Sequence, residues 1–140
     1  MNSADEEFFY TIERNLASLD RLREAMVAYF NKAGLEENIL SIVELCCYEA
    51  VANIIEHSKP VRDNNNIHIF CSVDDRRVAC QIIHYGPEFD LTKSPLPDIV
   101  QHFTEGKNHG LGVYMIRTLM SEVVFSHIHE RNSLTLIKKI

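Results

Sequence analysis

A chain of 140 residues, 46% hydrophobic and 24% charged, is long enough for one sizeable core and has the balance of a globular domain. Its formal net charge of −6 argues against direct nucleic-acid binding and against docking on an anionic membrane, and favours a basic protein partner. The first seven residues are polar and acidic, unlike a secretory leader, and no membrane-spanning run is read further on. The expectation is a cytoplasmic chain with a single domain over 1–140.

Phe8 to Ile12 is aromatic and β-branched, and reads as a first strand. From Ser18 to Ala33, Leu19, Leu22, Ala25, Met26, Tyr29 and Phe30 recur at helical spacing, and Gly34 stands where a helix-ending residue with positive φ belongs. A second helix is expected from Glu36 to Ser58, stopping before Pro60. After the turn-like Asn64–Asn66, residues 67–73 read as a strand, residues 74–76 as a connection, and Val78 to His84 as the return strand.

Residues 85–109 hold three prolines and two glycines, and are read as a long irregular segment with one short helix. Leu111 to Met120 follows as a helix. Val123–Ile128 and Leu134–Ile137 read as a closing hairpin around Glu130–Ser133. This order predicts an α+β two-layer sandwich: a mixed, mostly antiparallel sheet covered on one face by helices.

The four cysteines, at 46, 47, 71 and 80, contain no C-x-x-C pair and lie in apolar runs, so they read as buried thiols rather than metal ligands. Among the histidines, His102 and His109 flank the glycine-rich segment, while His127 and His129 alternate on a strand. No acid or cysteine at ligand spacing joins them, and they read as surface or sheet-face residues.

The second helix is apolar on most sides. Projected at 3.6 residues per turn, Glu37, Ser41, Glu44, Tyr48 and Ala52 centre its wet face. Glu49, Asn53 and His57 form a row drifting from that flank toward the buried side. Singly, Glu49 reads as a flank carboxylate and Asn53 as the cap of a neighbouring loop. Together they suit chemistry, because an amide oxygen is a neutral ligand for Mg²⁺ and a carboxylate one turn away, about 6 Å at Cβ, can orient or deprotonate a hydroxyl.

Four of the five glycines, Gly86, Gly106, Gly110 and Gly112, fall within 27 residues. The run Gly106 to Gly112 leads straight into a helix, so close backbone approach and free N–H groups make a phosphate cradle, with Lys107 as an added cation. It is neither a Walker A loop nor a dinucleotide fingerprint. The bland alternative is a glycine-rich helix entry that permits tight packing. Arg117 reads either as a phosphate or partner contact or as a solvated arginine.

In chain order, Glu49 to His57, Tyr85 to Asp90, and Gly106 to Gly112 running into Val113–Val123 resemble the anti-sigma-factor serine/threonine kinases, within the histidine-kinase/gyrase-like ATPase superfamily. The resemblance covers nearly the whole chain. It implies a histidine-kinase-like ATPase fold that binds ATP and Mg²⁺. It implies Glu49 as the catalytic carboxylate, Asn53 as the Mg²⁺ ligand, and nucleotide contacts at Asn53, His84, Gly86, Gly106, Lys107, Gly110, Leu111 and Gly112.

The implied partners are an anti-sigma-antagonist domain, phosphorylated on Ser or Thr, and a sigma factor; a homodimer is common in the family. Two positions depart from the pattern. His84 stands where the family has an aspartate that accepts a hydrogen bond from the adenine amino group, and Glu88 replaces a glycine. A neutral imidazole accepts that bond and an imidazolium does not. These departures support an alternative, a protein-interaction module of the same fold with weak or no ATP binding. A third reading keeps nucleotide hydrolysis or sensing without a protein substrate.

Overall fold

The computed structural model describes residues 6–61, 64–93 and 111–140. The strands are β1 (Phe8–Glu13), β2 (Asn66–Val73), β3 (Arg77–Tyr85), β4 (Glu122–Ile128) and β5 (Arg131–Lys139). Among the described residues the helices are α1 (Ser18–Lys32), α2 (Glu37–His57) and α3 (Leu111–Leu119), with a 3-10 turn at Leu91–Lys93. The strands form one sheet in the order β1-β2-β3-β5-β4. All four pairings are antiparallel, so the expected mixed character is absent among the described strands.

Period-two alternation puts Ile67, Ile69, Cys71 and Val73 of β2, with Val78, Cys80, Ile82 and His84 of β3, on the face that meets the helices. The core joins these to Leu19, Leu22, Met26 and Phe30 of α1, Val43, Cys47, Ala50, Val51 and Ile54 of α2, and Val113 and Ile116 of α3. The opposite sheet face leaves Phe9, Phe70, Val124 and Ile128 exposed. The four cysteines are free and buried. The hydrogen bond with Cys80, then burial, push the Cys47 thiol well up; the bond with Cys47 lowers Cys80, but its bond with Cys71 and burial outweigh that and hold it well up, so both stay unreactive.

The ends of α1 follow local chemistry. Asn15 Oδ1 accepts from the Ser18 backbone N–H and hydroxyl at its start. At its end Gly34 has φ +79 and Leu35 N donates to Phe30 O, the six-to-one bond of a glycine-terminated helix. By length and composition α2 is apolar enough to cross a membrane, a property the sequence reading did not assign to it. In this fold it is the central core helix, packed on α1, α3, β3 and β5.

Two expectations about α2 are corrected. Glu44, placed on the wet face, is 7% exposed and paired with Arg23 Nε at 2.5 Å, because α1 covers that flank. The Glu49–Asn53–His57 row runs outward instead of inward: Glu49 and Asn53 are half-buried, and His57 on the last turn is exposed beside Glu56.

The closing hairpin is tighter than the sequence suggests. Its turn is His129–Glu130 alone, with φ of 49° and 65°, and Ile128 pairs with Arg131. Two residues with positive φ form the turn whose twist matches antiparallel strands, although neither is a favoured turn former. His129 therefore lies in the turn, not on the strand. Asn132 and Ser133 belong to β5, and both are buried.

Candidate functional site

Helix α2 carries the acid and the amide, and α3 is the element that faces them. A Cβ built on Gly112, in the first turn of α3, would come within 2.5 Å of Glu49 Oε2 and 3.1 Å of Glu49 Cβ. A side chain at position 112 would have to push this carboxylate aside, so glycine lets α3 and the acid lie together. Burial, then the nearby Glu56 charge, raise the Glu49 pKa above its ordinary value.

Asn53 turns its Nδ2 back to donate to Glu49 O at 2.9 Å. That bond fixes the amide plane, and among the described residues no group donates to Asn53 Oδ1. Leu111 starts α3 and is half-buried. Gly106, Lys107 and Gly110, together with His102 and His109, lie outside the described residues.

A second polar cluster closes the same face of the sheet where β3 ends. His84, Asn132 and His127 are register partners across β3, β5 and β4, so their side chains share that face. His84 is 3% exposed and, among the described residues, its Nδ1 has no hydrogen-bond partner. Burial, reinforced by the Arg14 guanidinium and His127, pushes its pKa down to about 4, so the ring is neutral at physiological pH. Phe89 meets the ring edge-on at 6.1 Å.

Arg14 joins this end to α2. Its guanidinium donates to Ile54 O at 3.1 Å, to Ser58 O at 2.6 Å and to the Ser58 hydroxyl, satisfying carbonyls at the negative end of the helix. Gly86 has φ +145, and a Cβ there would stand 2.7 Å from Lys59 O. The glycine is required because the chain leaving α2 crosses the chain leaving β3. Glu88 is exposed and pairs with Lys93 Nζ at 3.2 Å.

The structure thus brings Glu49, Asn53 and Gly112 together, and sets His84 and Gly86 at the end of the strand beneath α2. Arg14, His127 and Asn132 were missed by the sequence reading. An arginine after a first strand carries no motif, and Asn132 was assigned to a turn.

An antiparallel sheet backed by helices, with an acid and an amide one turn apart facing a glycine at a helix start, defines a class. Residues 12–138 match the family model described as histidine kinase-like ATPase domain, and the chain belongs to that family.

Within it, the chain is 27% identical over 113 residues to "Serine-protein kinase RsbW" of Bacillus cereus (strain AH820), spanning 76% of this chain and 68% of that protein. It is 28% identical, over the same spans, to the protein of the same name from Bacillus thuringiensis (strain Al Hakam). The fold is shared with the structure titled "The crystal structure of the RsbU and RsbW domains of Rv1364c from Mycobacterium tuberculosis", at TM-score 0.69 and 16% identity. That match covers 95% of this chain but 32% of the solved one. The similarity is to the anti-sigma-factor kinase branch of the superfamily, as the sequence motifs implied.

Proposed function

We propose that this chain binds Mg-ATP and transfers the γ-phosphoryl group to a serine or threonine hydroxyl of an anti-sigma-antagonist partner, and that the same domain sequesters a sigma factor in the cytoplasm. The observation that carries this reading is the contact of the Glu49 carboxylate with Gly112, which joins the acid of α2 to the start of the helix behind the glycine-rich segment. The serine-protein kinases among its relatives support the choice of hydroxyl acceptor.

The residues present fit a magnesium ion in one way. Asn53 Oδ1 is a neutral oxygen on an amide whose orientation the Glu49 carbonyl fixes, and Mg²⁺ takes a single protein ligand readily when phosphates and water complete its shell. The ion would neutralise charge on the transferring phosphoryl group. Glu49 would accept the proton of the attacking hydroxyl at its carboxylate, a task its raised pKa favours. Gly112 lets α3 approach without a side chain, and the N–H groups at the start of that helix would be the donors for a phosphate. His84, buried and neutral, with no partner for Nδ1 among the described residues, has the chemistry to meet a purine edge.

Isothermal titration with Mg-ATP and Mg-ADP tests the proposal, followed by transfer of labelled phosphate to a candidate antagonist domain. The expected result is saturable heat and label on the partner. A second reading, a non-catalytic interaction module, is favoured by the full burial of His84 Nδ1 and by the acid at position 88. Absence of heat and of thermal stabilisation at millimolar nucleotide would select it. A homodimer is part of the proposal and is read by sedimentation.

A further inference from the structure

We infer that Asn132 is a positioning residue for the base end of the proposed nucleotide site: its side chain holds the segment Gly86–Phe89 in place. This rests on the nucleotide-binding reading above. Asn132 is 1% exposed, on the helix-facing side of β5. Its Oδ1 accepts from Phe89 N at 2.9 Å, and its Nδ2 donates to Pro87 O at 3.1 Å and Gly86 O at 3.4 Å. One amide therefore satisfies three backbone groups of a four-residue stretch that has left the sheet.

The chemistry needs an amide of this length. One acceptor and two donors on one planar group are what the three backbone atoms require. A leucine supplies none, and an ionised aspartate supplies acceptors only and would oppose two carbonyls. Partly buried backbone groups left without these bonds would turn toward water, so the segment would move. His127 Nε2 at 3.1 Å from Gly86 O and the Gly86 N–H to Glu130 O at 2.8 Å pin only its first residue. Asn132 supplies the side-chain hydrogen bonds to Pro87 and Phe89 among the described residues, beside the packing of the Phe89 ring on the core.

What that fold-back controls is the surround of His84. Phe89 is set edge-on to the imidazole by the bond from its N–H, and His84 is the direct cross-strand neighbour of Asn132. Loss of the clamp would unseat the wall around the base while leaving Glu49, Asn53 and Gly112, on other elements, where they are. The signature is a split between two ligands that share phosphates but not a base.

The test titrates the full chain with Mg-ATP and with Mg-tripolyphosphate, comparing wild type, Asn132→Ala and the near-isosteric Asn132→Asp. Gln81→Ala serves as control, because it breaks the 2.9 Å bond from Gln81 to Ser133 between the same two strands on the other face. Asn132→Ala is expected to weaken Mg-ATP by at least about tenfold and to leave tripolyphosphate within about twofold, while Gln81→Ala moves neither ligand. If Asn132→Ala does not fold, Asn132→Asp, which keeps the Phe89 acceptor, is expected to show the same split. Equal loss for both ligands, or unchanged Mg-ATP affinity in a folded variant, overturns the positioning role alone. A wild type that binds tripolyphosphate and Mg-ATP equally overturns it too, and one that binds neither overturns the kinase reading and this inference together.

Discussion

The Glu49 side chain fills the space that a side chain on Gly112 would need, with Oε2, Cβ and Cδ lying 2.5, 3.1 and 3.2 Å from where that Cβ would sit. Gly112→Ala should therefore displace the carboxylate rather than the helix, because the nearest atom is the free end of a flexible side chain. The expected outcome is a folded protein, destabilised by about 1–3 kcal/mol, whose phosphoryl transfer falls at least about tenfold. Circular dichroism and a transfer assay check it, and undiminished transfer would separate the pair from catalysis.

Glu49→Gln keeps the shape and removes the base. Nucleotide binding should persist while transfer drops by about 10²–10⁴, the usual worth of general-base catalysis. Burial and Glu56 raise the Glu49 pKa, so the wild-type rate should fall as pH drops through a pKa lying above that of an ordinary glutamate. That acid limb should vanish in the variant, as a pH–rate profile would read.

Asn53→Ala removes the Oδ1 oxygen and the bond to Glu49 O. The Mg²⁺-dependent part of ATP affinity should disappear, with the metal-independent part and the fold retained. Titrations with and without Mg²⁺ measure the difference.

His84 links acidity to stability. Its folded pKa of about 4 lies below the ordinary 6.5 of histidine, so between those values the unfolded chain takes up a proton that the folded chain excludes. Stability from this group is complete above pH 6.5 and declines as pH falls toward 4, by about 3 kcal/mol in all. Denaturant unfolding across that window should show a slope that His84→Gln flattens. His84→Asp probes the base directly: tighter Mg-ATP binding is expected, and unchanged affinity would mean that the purine is read elsewhere.

Arg14 should act on both ends of this arrangement. Arg14→Met strips three bonds from the last turn of α2 and removes the cation beside His84. A loss of about 2 kcal/mol is expected, together with an upward move of the His84 pKa, both measurable by unfolding and by NMR titration.

The sequence carried the elements and the acid–amide pair because both depend on local rules. Hydrophobic period located α1, α2 and the strands to within a few residues, and i to i+4 spacing was enough to put Glu49 and Asn53 on adjacent turns. Glycine and proline punctuation marked Gly34 correctly, since a helix ending with positive φ is a local event.

Tertiary structure decided what local rules do not reach. Glu44 looked solvent-facing on a helical projection, yet α1 with Arg23 covers it. The His129–Glu130 turn is imposed by the pairing of Ile128 with Arg131, not by turn-forming residues, and the three-residue earlier start of β5 moves Asn132 from the expected loop to a buried strand position. Arg14 and Gly86 have their roles only because chains distant in sequence meet there. A one-dimensional pattern records which face a residue has, whereas the neighbour on that face is set by strand register and helix packing.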